Sequence, residues 1–272
     1  MPLTVLRASH PAPTVAVTLL SLFLALAFAV PPENTVLIVV AVFFNQIAIG
    51  LSNDIIDVAR DQRAERRDKP LVNGALSLRT AWVVVIASSV LSLLLSVVVD
   101  PLVGLWQAVF LFSGFAYNAG LKATLLSAVP YATGFAALPA LVSAGTQSPS
   151  LPGWWVMLVG ASLGVSAHFA NVLPDVESDR REGIRGLPQR VSPRVTAAVL
   201  VVLTTSSTGI LIWQGGPAAQ WVTIPVGIAA VVASVAAAIS VLRAPAPSWP
   251  FRLSMIAAGL IALGLLGALQ GG

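Results

Sequence analysis

Two short runs, with the residues just after them, carry nearly all the acid in this chain. The first is Asn53-Asp54-Ile55-Ile56-Asp57-Val58-Ala59-Arg60-Asp61, the second Asn171-Val172-Leu173-Pro174-Asp175-Val176-Glu177-Ser178-Asp179. Of the 11 acidic residues, all but Glu33 and Asp100 lie in these runs or just after them. Asp54, Asp57 and Asp61 are spaced i, i+3, i+7, so on a helix they share one face, with Asn53 beside them. Each run follows a long apolar stretch, which puts the first carboxylates at a helix C-terminus. Negative charge there is opposed by the helix dipole, at roughly 0.3–1 kcal/mol per charge. A bound cation removes that penalty. In the second run Asn171, Asp175 and Asp179 follow at i, i+4, i+8 if the helix continues past Pro174, which is expected to kink it. Glu177 points elsewhere and is a poorer ligand candidate. Oxygen ligands without thiolate or imidazole suit Mg²⁺, which takes carboxylates, waters and phosphate oxygens. Two such sets facing each other would hold metal around one diphosphate and neutralise charge developing on a leaving oxygen. Acids that merely pair with loop arginines are the ordinary alternative. Two runs that both open with Asn, both at helical spacing and in corresponding loops, argue against it.

The elements that must position these groups are membrane helices. Of 272 residues, 57% are hydrophobic and 10% charged, far from the composition of soluble domains. Apolar segments recur at roughly 14–30, 35–52, 80–99, 102–117, 123–144, 153–172, 195–213, 218–241 and 253–270, each near the length that spans a bilayer. The chain reads as one all-α, polytopic integral-membrane domain over 1–272, with no room for a separate soluble unit. With the N-terminus placed inside, all 15 Lys and Arg fall on that side, including Arg60, Arg63, Arg66, Arg67, Lys69, Lys122 and Arg180. The opposite loops carry none, as the positive-inside rule requires. Both acidic runs are then cytoplasmic, in a cell (inner) membrane. The basic excess is thereby explained by topology, and no nucleic-acid partner is expected. Trp154, Trp155, Trp213, Trp221 and Trp249 near segment ends suit interfacial anchors. Ala27-Phe28-Ala29 resembles a signal-peptidase site, but the preceding run is long for a signal, and the segment is expected to be retained as a span. The absence of cysteine excludes disulfides and thiolate metal sites, and two histidines, His10 and His168, are too few for a histidine-built centre.

These residues carry a resemblance. The first run, followed by Arg66-Arg67-Asp68-Lys69-Pro70-Leu71 and Gly74, resembles the NDxxDxxxD…R…(R/K)PL…G signature of the UbiA superfamily of intramembrane prenyltransferases. The stretch from Asn171 resembles the second family motif, NxxxDxxxDxxxG, with Gly183 in its last position. The resemblance covers essentially the whole chain. It implies nine transmembrane helices around a central cavity. It also implies Mg²⁺-dependent transfer of a prenyl group from an isoprenyl diphosphate to an aromatic or other lipophilic acceptor. Carried over, Asp54, Asp57, Asp61, Asp175 and Asp179 would hold the metal and diphosphate, with Asn53 and Asn171 beside them. A family Tyr…Lys motif is matched by Tyr117 and Lys122, spaced five apart where many members have four. Arg67 and Lys69 are candidates for diphosphate contact, against a topology-setting role; Arg60, Arg63 and Arg66 read as topology-setting charge.

The chemistry implied is ionisation of the C1–O bond, with an apolar pocket keeping water from the developing allylic cation. Phe43, Phe44, Phe112, Phe115, Phe135 and Phe169 are near enough to the motifs to face it. His168 is one turn before Asn171 and is either a buried, internally satisfied histidine or a group that meets an acceptor. The segment from Arg180 to Pro188 reads as a lid over the cavity mouth. Two other uses of the same site stand beside transfer: intramolecular terpene cyclisation, and transfer of a sugar phosphate to a polyprenyl phosphate. The CDP-alcohol phosphotransferase motif is a poor fit, because Val58 occupies the position of its required glycine. A small transporter would place charge at mid-depth, and here the acids gather at one face.

Overall fold

The computed structural model describes residues 2–243 and 249–270. Within it the side chain of Glu177, weighed above as a ligand, and that of Arg181, one of the 15 basic residues, lie outside the described residues. The chain forms α1 (Pro2–Ala8), α2 (Pro11–Ala27), α3 (Pro32–Arg63), α4 (Leu78–Val99), α5 (Pro101–Asn118) and α6 (Val129–Ser143). It continues with α7 (Trp154–Val172), α8 (Val176–Arg181), α9 (Leu187–Arg190), α10 (Pro193–Gln214), α11 (Gly216–Arg243) and α12 (Trp249–Gln270). No strand occurs among the described residues.

Local chemistry accounts for where these helices start. Proline opens α2, α3, α5 and α10, the first-turn position where its missing N–H costs nothing. Asp100 caps α5 by accepting from the Leu102 N–H at 2.7 Å, which explains one of the two acids outside the motifs. Ser77 caps α4 and Ser192 caps α10 in the same way.

All nine apolar segments fall on helices. Seven helical stretches among the described residues are long and apolar enough to cross a membrane, namely α3, α4, Leu125–Ser143, Trp154–Asp175, α10, α11 and α12. The remaining two segments match α2, a shorter apolar helix of 17 residues, and α5, of 18 residues. The chain is a multi-pass membrane protein, with seven spans by length and composition. Its outer faces are apolar, as a bilayer-facing surface requires: Val83, Ile86, Val90, Leu94 and Val98 run exposed down α4. Trp154, Trp213, Trp221 and Trp249 stand exposed near helix ends, where interfacial anchors belong.

The long helices form a closed ring. Each of α2 to α7 packs against the next, α7 against α10, α10 against α11, α11 against α12, and α12 returns to α2. Without a hydrophobic force between helices in lipid, close backbone approach and dispersion do the holding. Helices α6 and α7 approach closely at two glycines. A Cβ on Gly160 would stand 2.3 Å from the Phe135 carbonyl oxygen, and one on Gly164 would stand 2.3 Å from that of Tyr131. Only glycine fits at either position. Gly50 does the same on α3, where a Cβ would stand 2.4 Å from the Ser9 carbonyl oxygen.

Candidate functional site

The ring encloses a cavity of about 920 Å³. Its deep wall is apolar, with Phe110, Phe135 and Leu163 among the lining residues, and its mouth is lined by Asn53, Asp57, Asp61, Asn171, Asp175 and Asp179. The two acidic runs, far apart in sequence, therefore meet at one opening.

The first run lies on the last turns of α3, which continues unbroken to Arg63. Asp54, Asp57 and Asp61 are all buried, at 3%, 5% and 3% exposure, so each carboxylate needs a partner. The Lys69 ammonium donates to Asp54 at 2.8 Å and to Asp61 at 2.7 Å. Burial acts to lower the Lys69 pKa, but these hydrogen bonds outweigh it and hold the pKa above the ordinary lysine value. The Lys122 ammonium donates to Asp57 at 2.5 Å and to Asn53 at 3.3 Å. The Tyr117 ring lines the same opening and packs edge-on against Tyr131 and His168. Lys122 thus reaches the acids despite its spacing of five, because the chain turns through Gly120 at φ +145° just before it.

The second run departs from a continuous helix at Pro174. Helix α7 stops at Val172, Leu173–Asp175 form a 3₁₀ turn, and α8 resumes at Val176. Asp175 is exposed at the cavity mouth. Asp179 is half-buried and accepts from the Gln189 amide at 2.9 Å. Burial raises the Asp179 pKa above the ordinary carboxylate value, against opposing contributions from the Gln189 hydrogen bond and the Arg60 charge. Asn171 lines the opening and donates to the Tyr131 hydroxyl at 3.5 Å.

Arg60, read from sequence as topological charge, is instead the bridge between the runs. Its guanidinium pairs with Asp57 at 3.0 Å and with Glu182 at 3.0 Å, and stands 3.9 Å from Asp179. His10, which precedes α2 with φ 56°, places its ring 3.2 Å from Asp54. Nothing in the sequence pattern singled out His10, Tyr131 or Gln189: His10 and Tyr131 come from segments remote from the motifs, and Gln189 follows the second motif without matching any of its positions.

Other expectations resolve individually. Arg67 is exposed and outside the cavity lining, and its backbone carbonyl accepts from the Asn73 amide. Of the six phenylalanines weighed for the pocket, Phe135 lines it and Phe43, Phe44, Phe112, Phe115 and Phe169 do not. Phe23, Phe110 and Phe251 line it instead. His168 is buried and half satisfied: its Nε2 stands 3.0 Å from the Ser127 hydroxyl, and its Nδ1 has no hydrogen-bond partner among the described residues.

The donor set fits a hard divalent cation, being carboxylate and amide oxygen without thiolate. Among the described residues no three or more His, Asp or Glu side chains stand clustered as a ready-made metal site. The first-run carboxylates face the chain's own ammonium and guanidinium groups.

Three solved structures share this architecture. A UbiA homologue from Aeropyrum pernix K1 superposes with a TM-score of 0.75 at 19% identity, covering 93% of this chain and 96% of that one. A UbiA homologue from Archaeoglobus fulgidus, bound to DMAPP and Mg²⁺, superposes with a TM-score of 0.73 at 17% identity, covering 97% and 99%. A digeranylgeranylglyceryl phosphate synthase structure superposes with a TM-score of 0.71 at 16% identity, covering 98% and 97%. No curated protein matches the chain in sequence. The sequence profile of the UbiA prenyltransferase family matches residues 14–267, nearly the full length. The chain belongs to the UbiA prenyltransferase family.

Proposed function

We propose that this protein is an Mg²⁺-dependent intramembrane prenyltransferase. It would move a prenyl group from an isoprenyl diphosphate to an aromatic or other lipophilic acceptor and release diphosphate. The observation that carries this reading is the meeting of both acidic runs at the mouth of one apolar cavity. The Archaeoglobus homologue, solved with DMAPP and Mg²⁺, supports the donor class and the metal.

Asp54, Asp57, Asp61, Asp175 and Asp179 would hold the ion, which supplies charge neutralisation to the diphosphate oxygens. Lys69 and Lys122 place ammonium groups at the same opening and add to that neutralisation. Below them, Phe110, Phe135 and Leu163 would surround the allylic chain and exclude water from C1. The C1–O bond breaks with its electron pair leaving on diphosphate. The acceptor's nucleophilic atom then forms the new bond to C1 and loses a proton. The reaction would take place at the cytoplasmic face, a reading supported by the gathering of Lys and Arg in the loops that carry both runs.

The test is diphosphate release by purified protein in lipid, with and without Mg²⁺, from geranyl and longer isoprenyl diphosphates. A double variant, Asp54→Ala with Asp175→Ala, runs beside it. Release that needs both Mg²⁺ and the aspartates is expected. Mass analysis of the products then separates transfer to an added acceptor from cyclisation and hydrolysis. No release from any donor with acceptors supplied would overturn the reading.

A further inference from the structure

The segment after the second acidic run is built into the wall of the site. Asp179 closes it by accepting from the Ile184 N–H through its backbone carbonyl at 2.8 Å, over a turn in which Gly183 adopts φ +82°. The Arg180 guanidinium donates to the Gln189 carbonyl at 2.8 Å. The Leu187 N–H donates to the Ser127 hydroxyl at 2.8 Å. Gly186 lies so close to the loop that carries Lys122 that a Cβ there would stand 2.5 Å from the Lys122 carbonyl oxygen. The lid expected from sequence is, in the fold, a docked buttress.

Gln189 is the side chain this buttress delivers. It is 4% exposed and lines the cavity. Its Nε2 donates to Asp179 Oδ2 at 2.9 Å, while Arg60 approaches Oδ1 from α3. Its Oε1 turns to Gly186, where a Cβ would stand 2.8 Å away, and has no hydrogen-bond partner among the described residues. The amide is therefore engaged at its nitrogen end alone, and that engagement is with the carboxylate. Leaving a buried carbonyl oxygen unpaired to do so is unfavourable, so the bond to Asp179 governs how the amide sits.

We propose that Gln189 is a positioning residue for the reaction: its buried amide orients the Asp179 carboxylate, so that the second acidic run presents a fixed oxygen to the cavity opposite the first. This rests on the prenyltransferase reading above. Outer groups that orient a metal-binding side chain typically change metal affinity or activity by about 10–100-fold when removed. Gln189 acts through Asp179 and touches no reacting atom.

The test uses full-length protein in lipid and two readouts. One is the Mg²⁺ concentration for half-maximal diphosphate release. The other is Mn²⁺ binding to the protein followed by electron paramagnetic resonance, which needs no turnover. Gln189→Met keeps the length and removes the donor; Gln189→Asn keeps the amide but withdraws it by one methylene, and serves if the methionine variant does not fold. Either is expected to raise both midpoints by about tenfold. Combined with Asp179→Asn, either is expected to add nothing beyond Asp179→Asn alone, since coupled residues are non-additive. Unchanged midpoints, or losses that multiply with Asp179→Asn, overturn the proposal. If Asp179→Asn itself leaves Mg²⁺ dependence unchanged, the reading of the site fails instead, which keeps the two failures distinct.

Discussion

Replacing Lys69 by methionine removes the cation that two buried carboxylates share. Asp54 and Asp61 are each 3% exposed and meet the same ammonium at 2.8 and 2.7 Å. Removing one member of a buried ion pair typically costs about 3–5 kcal/mol, because the stranded charge keeps its desolvation penalty. His10 remains 3.2 Å from Asp54, so Asp61 suffers most and the low end, about 3 kcal/mol, is expected for Lys69→Met in EDTA. Divalent cation should reverse most of this. At about 100 times its dissociation constant a ligand that binds only the folded state contributes about 2.7 kcal/mol, close to the loss. Wild-type protein, already neutralised, should gain less from the same addition. The assay is thermal unfolding in detergent with EDTA and then with Mg²⁺, compared at one scan rate because such unfolding is commonly irreversible. Co-melting of variant and wild type in EDTA would refute the argument that Lys69 balances the first run. A variant that melts low and stays low in Mg²⁺ would refute the claim that these carboxylates accept a divalent ion.

Lys122→Met leaves Asp57 with Arg60 but strips the ammonium from the cavity mouth. Loss of one preorganised donor predicts a fall in kcat/KM of roughly 10²-fold, read by diphosphate release. Gly164→Ala forces a methyl to within 2.3 Å of the Tyr131 carbonyl oxygen. The helices must part, at about 1–3 kcal/mol, and the melting temperature should drop. Gly209→Ala, on α10 with nothing within 4 Å of its Cβ, is the matched control and should not destabilise. Asp100→Ala removes the cap of α5, with an expected loss of about 1 kcal/mol and unchanged diphosphate release.

Much of the site is readable along the chain because helical periodicity is a local property. Asp54, Asp57 and Asp61 share a face by spacing alone, and α3 does continue through them. Pro174 announces a break that the fold realises as a 3₁₀ turn. What the chain does not announce is which basic group meets which acid. Arg60 and Arg67 look alike in a basic loop, yet one is at the centre of the site and the other is exposed. The difference arises because Arg60 still belongs to α3 and faces α8, whereas Arg67 lies beyond the helix end. Tyr131 and Gln189 are placed by the packing of α6 on α7 and by the docking of the 183–190 segment. Both are long-range events with no periodic trace. Nor does the chain announce which phenylalanines line the pocket, since a membrane helix is apolar on its lipid side and its inner side alike.

The closure of α12 onto α2 also has a consequence in time. The ring's seam joins its earliest long helix to its last, some two hundred residues of synthesis apart. At about 5–20 residues per second, α2 must wait roughly 10–50 s in the bilayer before its neighbour emerges. It is equipped to wait. Thr14 donates to the Ser9 carbonyl, Thr18 to that of Thr14 and Ser21 to that of Thr18. Its hydroxyls are thereby satisfied within α2 and the turn before it, and the helix can stand in lipid with no side-chain hydroxyl calling for a partner that has not yet been made.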